Sequence, residues 1–444
     1  MKKVFIVFTV LTFSVTVLLA QDEKPFQTKG AVAMRYMSTN NKGELTDFNA
    51  FVGYGSYKVS YGLKSWLSFS GQVNGVFLPS TENLEKRDAI TGRGPIYEAN
   101  LFNLRTMSAH SEFALPVLNA EFNHNGQILT VGRFVKNAQA LKAEQWPFPN
   151  ALEGIWYENY KAENASWQLA IIHKSMPRFS GDFEKIGRSL GVAGVGFNKD
   201  GSPSGYRNNI ASDFLLVANY NKLFSGGLSL DIWNYLVEGV MNTFLVEPRL
   251  QLSESRLSIA AKVMYQERLG SGGNSDQSRT YKVDQSVLYF GLRLEKQWKD
   301  NSMQLNVSRI SDAGRFLMPR EWGYEPFYTF QRRTRIEGVR DAISLMFKWQ
   351  KAWSDEQMSY QFTSSIAYNR LPKPSDVESN KYKLPSHIHW DAVLKVKPIK
   401  NLSSLSLETL VAYRFLSDNS ISDSSVIINN ADFFHTDLSL VYSF

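Results

Sequence analysis

The chain of 444 residues contains no cysteine. That absence excludes disulfides, thiolate metal sites and thiol nucleophiles, and it leaves no residue to carry a lipid behind an export leader. Long apolar runs are also missing. After Val4–Ala20, no stretch approaches the eighteen or so continuous apolar residues of a membrane-spanning helix. If the mature chain enters a membrane, it does so as strands. Charge of one sign is scarce too: 49 Lys and Arg face 42 Asp and Glu, for a formal +7 that falls to +5 without Lys2 and Lys3. These charges are scattered along the chain, which excludes a nucleic-acid footprint.

What is present begins with a leader. Lys2 and Lys3, the apolar run Val4–Ala20 and polar Gln21-Asp22-Glu23 have the layout of a secretory signal peptide cut after Ala20. Residues 21–444 are then the mature domain. Aromatics make up 13% of the chain, as expected where side chains line two membrane interfaces.

The final stretch, Phe434–Phe444, shows the organising pattern. Thr436, Leu438, Leu440, Tyr442 and Phe444 share one face at strand period, and His435, Asp437, Ser439, Val441 and Ser443 share the other. The same alternation recurs along the chain. Leu288, Phe290, Leu292 and Leu294 form one such face, and Ile343, Leu345, Phe347 and Trp349 form another.

Eighteen strands are predicted: 29–37, 48–60, 65–77, 112–123, 127–134, 151–161, 165–174, 210–221, 227–237, 241–252, 256–267, 285–298, 301–310, 339–350, 357–370, 386–397, 404–416 and 434–444. Short turns alternate with long connections throughout. The longest, about 175–209, is glycine-rich and carries Lys199-Asp200-Gly201-Ser202-Pro203. Pro248 inside strand ten removes a ladder hydrogen bond, so pairing there is expected to be irregular.

Backbone N–H and C=O groups in lipid must pair internally, so spanning strands have to close on themselves. The fold class is therefore all-β, a transmembrane antiparallel barrel with short periplasmic turns and long outward loops. An interior this wide leaves an aqueous channel. A two-domain soluble β protein is the alternative, and the long apolar outward faces speak against it.

Parity assigns the charges inside the barrel: Glu247 and Arg249 on strand ten, Lys262 on eleven, Arg293 and Glu295 on twelve, Arg340 on fourteen, Asp391 and Lys395 on sixteen, Glu408 and Arg414 on seventeen. An Arg or Lys facing hydrocarbon at the midplane would cost about 2–4 kcal/mol. Two connections could narrow the pore. Residues 135–150 hold Lys136, Lys142, Glu144 and Trp146. Residues 311–338 hold Arg315, Arg320, Arg332, Arg333 and Arg335 against Asp312, Glu321, Glu325 and Glu337. Facing acids and bases create a transverse field, and a basic excess favours anionic or zwitterionic solutes.

Catalytic motifs are weak. His387, His389 and Asp391 share a strand face compatible with a metal site or with the acid/base pair of a barrel hydrolase. Gly191, Gly194 and Gly196 lack the strand-to-helix setting of a phosphate loop. No cofactor, metal or enzymatic activity is expected. A non-conducting adhesion or scaffold barrel is a further alternative. An energy-coupled transporter is disfavoured, because nothing before strand one is long enough to fold as a plug.

Several stretches resemble the OprD family of outer-membrane porins, in the form found in Bacteroidetes and related bacteria. They are Lys42-Gly43-Glu44-Leu45-Thr46-Asp47, Thr130–Phe134, Asn150–Tyr157, Lys174-Ser175-Met176-Pro177-Arg178, Asn198–Tyr206, and Trp233-Asn234-Tyr235 with Asn242-Thr243. The resemblance implies an outer-membrane barrel, monomeric or trimeric, in contact with the bilayer and lipopolysaccharide. It would pass amino acids, peptides or organic anions by passive diffusion. It also implies that 135–150 and 311–338 build a constriction lined by a basic ladder. On that reading Arg133, Arg249, Arg293 and Arg340 are solute-contacting residues, beside Lys262, Arg315, Arg332, Glu247 and Glu295.

Overall fold

The computed structural model describes residues 25–80, 85–103, 111–142, 147–192, 194–400, 402–417 and 432–444. The leader at 1–20, Glu144 and Trp146 lie outside the described residues. The strands run β1 (Phe26–Asn41), β2 (Phe48–Lys64), β3 (Leu67–Ser80), β4 (Glu112–His124), β5 (Gln127–Phe134) and β6 (Ala151–Ala162). They continue with β7 (Ala165–Met176), β8 (Leu215–Leu223), β9 (Leu228–Val237), β10 (Met241–Leu252), β11 (Leu257–Arg268) and β12 (Ser286–Trp298). The set closes with β13 (Asn301–Ile310), β14 (Ala342–Ser354), β15 (Met358–Arg370), β16 (His387–Pro398), β17 (Leu405–Leu416) and β18 (Phe433–Ser443). Each pairs antiparallel with its chain neighbours, and β1 closes on β18 with Val32 opposite Tyr442 and Thr39 opposite His435. The product is a closed eighteen-strand barrel. A two-residue strand, Glu184–Lys185, adds to the end of β7.

Alternation builds the wall as the sequence predicts. Leu288, Phe290, Leu292, Leu294 and Ile343, Leu345, Phe347 all point outward, Leu345 at 52% exposure. A contiguous apolar belt on a closed barrel is a hydrocarbon-facing surface. At the short-turn rim the belt meets an aromatic girdle, with ring pairs Phe26–Tyr61 at 4.7 Å, Trp66–Phe122 at 6.1 Å and Trp353–Tyr360 at 5.0 Å. The β4–β5 hairpin turns on Asn125 and Gly126 with φ of 48° and 73°. Paired positive φ values match the twist of the flanking strands, which is why Asn-Gly stands there.

Pro248 does not shift the register. Val246 stays opposite Val263 and Arg249 opposite Ala260, and the ladder skips only the two residues between.

The interior is not empty. The β13–β14 connection, about 311–341, folds into the barrel, as do residues 135–142 and 147–150 of the β5–β6 connection. Phe316, Leu317, Met318 and Trp322 of the first pack with Leu141 of the second against inward Leu215, Tyr235, Leu245 and Met264. Burying each large apolar side chain there contributes about 1.5–3 kcal/mol. The β8–β12 half of the interior is therefore a packed core, and β8 itself starts five residues later than predicted because Ile210 belongs to that core.

Candidate functional site

The open part of the interior lies on the other side. A cavity of about 610 Å³ reaches from Lys397, Ser406 and Ser443 at the short-turn ends of β16–β18 up to Tyr382 and Leu384 in the β15–β16 connection. Arg35, Arg178, Arg320, Arg332, Arg333, Arg335, Arg414, Lys395 and Lys397 line it, and Glu408 is the one carboxylate among the described lining residues. Aromatic rings stand between the cations, including Tyr97, Phe179 and the stacked pair Tyr324–Phe330 with centroids 4.2 Å apart.

Acids behind this surface, and Glu408 within it, hold the guanidinium groups. Arg335 Nε donates to Glu325 at 2.8 Å, Arg332 Nη1 to Glu408 at 2.6 Å, and Arg320 to Glu337. Such charge-assisted bonds fix each fork in place while leaving a face to the cavity. Arg320 also lies 3.7 Å over the Tyr382 ring. Burial opposes the charge of Arg320, yet Glu337, Tyr382 and Glu325 together outweigh it and hold the guanidinium above its ordinary pKa.

Three connections build the narrow zone. Lys262 Nζ donates to Pro326 O at 2.9 Å, and Gln266 Nε2 to Leu317 O at 2.8 Å, tying 311–341 to β11. Further along, Tyr328 N donates to Tyr289 OH and Arg332 N to Asp391, both at 3.1 Å. The loop thus crosses the lumen from β11 to β16. Residues 135–150 are tied across by Asn150 Nδ2 to Trp322 O at 2.9 Å. The third, 177–191, was not expected to take part: Arg178 N donates to Glu321 O at 2.9 Å, and Trp322 Nε1 to Ser189 Oγ at 2.9 Å.

The predicted site residues fall in four places. Glu247, Arg249, Lys262 and Arg293 gather on β10–β12, where Glu247 takes Lys262 and Arg249, each at 2.9 Å. Arg293 donates to Asn306 at 2.9 Å and lies 4.2 Å over the Tyr328 ring. Glu295 on the same strand accepts from Ser302 and Gln297. Lys262, Glu247 and Arg293 anchor the in-folded loops, Arg249 is exposed beside Glu247, and none of the five lines the cavity of the passage.

Arg315 is 1% exposed, bonded to the carbonyls of Phe197 and Val377 in the long loops. Arg340 precedes β14 instead of lying on it and is held at the long-loop mouth by Glu378 and Ser379. Arg332 does line the cavity.

Arg133 stands elsewhere. It pairs across the sheet with Leu118, which is 54% exposed on the outer wall, and bonds Glu153 at 2.7 Å. Its parity with Leu129 and Val131 carries it outward, so the implied position in the lumen is corrected.

The histidine face of β16 is committed to the loop. His387 is buried between Pro385 O, Asn369 and Thr334, and His389 Nε2 meets Arg332 O at 2.9 Å. Asp391 accepts from Ser365 and Arg332 N. Among the described residues no group of three His, Cys, Asp or Glu could hold a metal ion.

Sequence reasoning left Arg35 and Arg178 unassigned. Arg35 was legible, since Val32, Met34 and Tyr36 are exposed and the alternation puts Arg35 inside with Ala33 and Met37. Arg178 follows β7 in an irregular segment, where no period gives a direction.

No family model matches this chain, and no curated protein matches it. Solved structures do. OccAB4 of Acinetobacter baumannii superposes with a TM-score of 0.71 at 13% identity, covering 95% of this chain and 98% of that one. OccK8 (OprE) of Pseudomonas aeruginosa gives 0.67 at 10% identity, with 94% and 98% covered. The outer-membrane protein OpdK of the same organism gives 0.65 at 12%, again with 94% and 98% covered. At such identities the likeness is one of architecture, and in architecture the chain is an OprD-like barrel.

Proposed function

We propose that the protein is a passive outer-membrane channel for small anionic solutes, organic carboxylates foremost. The observation that carries this reading is the cavity surface: nine cations, one carboxylate and interleaved aromatic rings inside a closed barrel. A cationic lining lowers the barrier to anions, and rings beside guanidinium groups offer an apolar face to the rest of the solute. OpdK has been solved with vanillate, which combines those two chemistries. Export through the leader at 1–20 puts the barrel in the outer membrane, with the short turns toward the periplasm and lipopolysaccharide around the long-loop rim.

The side chains of His387, His389 and Asp391 hold the loop tip, so they are assigned a structural role and no catalytic one. The test is a planar bilayer under a salt gradient with the purified mature chain. Steady openings with a reversal potential on the anion side are expected, together with block of the chloride current by benzoate. A correctly folded barrel that never conducts, or one that prefers cations, overturns the reading.

A further inference from the structure

The outer wall carries ions where the belt is otherwise apolar. Arg133 shares parity with Leu129 and Val131, and Glu153 with Ile155 and Tyr157, so both point away from the lumen. Three nitrogens converge on the Glu153 carboxylate: Arg133 Nε at 2.7 Å, His173 Nε2 at 3.0 Å and Lys174 Nζ at 3.3 Å. Lys174 reaches it only through an irregularity. Strand β7 places Lys174 opposite Glu153 but Ile172 opposite Gly154, which leaves His173 as an extra residue. Without that bulge Lys174 would share the inward parity of buried Ile172; with it, a second cation stands outside.

The cluster sits at the long-loop end of the wall. Arg133 is the last residue but one of β5, Glu153 the third of β6 and Lys174 the third from the end of β7. Phe183 of the 177–191 segment covers one face of the Arg133 guanidinium at 4.4 Å, so the loops begin directly above it. On the side of the short turns lies an open groove of about 590 Å³. It starts at Arg133, Glu153 and His173 and runs between Leu118, Val131, Ile155 and Ile171, all four exposed. Gly132 and Gly154 pair directly and line it with backbone. An apolar groove with a cationic head is complementary to an amphiphile with an anionic head group.

We propose that this groove binds lipopolysaccharide, the phosphorylated and multiply acylated lipid of the outer leaflet. One acyl chain lies along the groove, and a phosphate bonds Arg133 and Lys174. The proposal rests on the outer-membrane placement given above, which sets the long-loop end of the wall in that leaflet. Charge decides for a phosphate. Arg133 and Lys174 are two cations against the single carboxylate of Glu153, so the head stays net positive with His173 neutral. Among the described residues Glu153 engages Arg133 through Nε alone, which keeps both Nη groups for a further acceptor. A zwitterionic head group largely cancels its own charge and gains less from that excess.

The experiment titrates lipid A, free of its sugar chains, into the delipidated mature barrel in detergent and counts bound lipid by native mass spectrometry. Wild type is expected to hold a single lipid A tightly. Arg133→Gln with Lys174→Gln should bind it about tenfold more weakly, and removing the phosphates of lipid A should cost wild type about as much. Ile171→Trp fills the groove and leaves the cations in place, and it should weaken binding about threefold. Heat-modifiable migration on gels checks that each variant is folded.

Arg309→Gln with Arg370→Gln is the control. Those two also face outward at the long-loop rim, gripping Asp341 at 2.5 and 3.6 Å on β13 and β15. Their loss removes the same charge at a distance from the groove, so binding should fall less than about twofold. An equal loss in the control, a double variant at Arg133 and Lys174 that binds like wild type, or phosphatidylglycerol held as tightly as lipid A overturns the proposal. Current is read on the same samples in a planar bilayer. Lipid A held by a barrel that never conducts would remove the channel reading and keep this site, and conduction without lipid A binding would do the reverse.

Discussion

The two halves of the interior use the same residue types for opposite ends. On β10–β12, Glu247, Lys262 and Arg293 face inward and meet Tyr328, Pro326 and Gln139 of the in-folded loops. On β16, Lys395 and Lys397 face inward and meet open space. Pointing into a barrel is one property, and pointing at a solute is another. What separates them is where the loops lie. The apolar inner faces of β8–β11 draw the loops to one side by burying Trp322, Phe316 and Leu317, and the passage is what remains.

The contrast can be broken most sharply at Lys262. The Nζ group is buried against Glu247 and also holds the Pro326 carbonyl. Lys262→Met should destabilise the protein by about 3 kcal/mol, because Glu247 keeps only Arg249. A lower urea midpoint, with noisier current from a loosened loop, would show it.

Glu98 tests the passage side. Burial is the main cause of its raised pKa, with the Thr39 hydrogen bond pulling the other way. A carboxyl whose pKa is about 7 when folded and about 4.3 when unfolded binds its proton more tightly in the native state. Stability should therefore fall as pH rises from about 4.3 to about 7 and stay low above that. Glu98→Gln should remove this slope and gain about 2 kcal/mol at pH 8, read from urea melts across pH.

The comparison sharpens with two double variants. Arg332→Gln with Lys395→Gln strips cations from the cavity and takes from Glu408 its ion-pair partner and its cross-strand neighbour, so the anion-to-cation permeability ratio should fall about threefold. Arg293→Gln with Arg315→Gln removes as much charge from beneath the in-folded loops and should change that ratio less than half as much. Equal shifts would mean both halves conduct. The smallest effect belongs to Arg133→Gln on the outer wall: less than about 1 kcal/mol of stability, as for an exposed ion pair, and an unaltered reversal potential.

The wall was legible in the sequence because period-two alternation is a local signal and the barrel repeats it eighteen times. Strand β5 at 127–134, β10 at 241–252 and β13 at 301–310 fall where the alternation puts them, to the residue. The site was legible only in part. Parity says that Lys262 and Lys395 both face inward, but it cannot say that one is buried under the Pro326 carbonyl while the other lines the cavity. That depends on contact with a loop 64 positions further along the chain, and irregular loops carry no period to reveal it. The resemblance to OprD barrels anticipated in-folded connections, which the structure shows. It misplaced Arg133, where the alternation with Leu129 and Val131 gave the better answer.

The Arg35–Asp437 bond joins the first strand to the last. Asp437 is also the acid that receives Arg333. Arg333 of the loop tip therefore shares its acid with the seam, so one of the tip's anchors is complete only where the two ends of the sheet have met. That anchor doubles as a seam clasp: a barrel whose β1–β18 edge opens loosens one end of its filter in the same event.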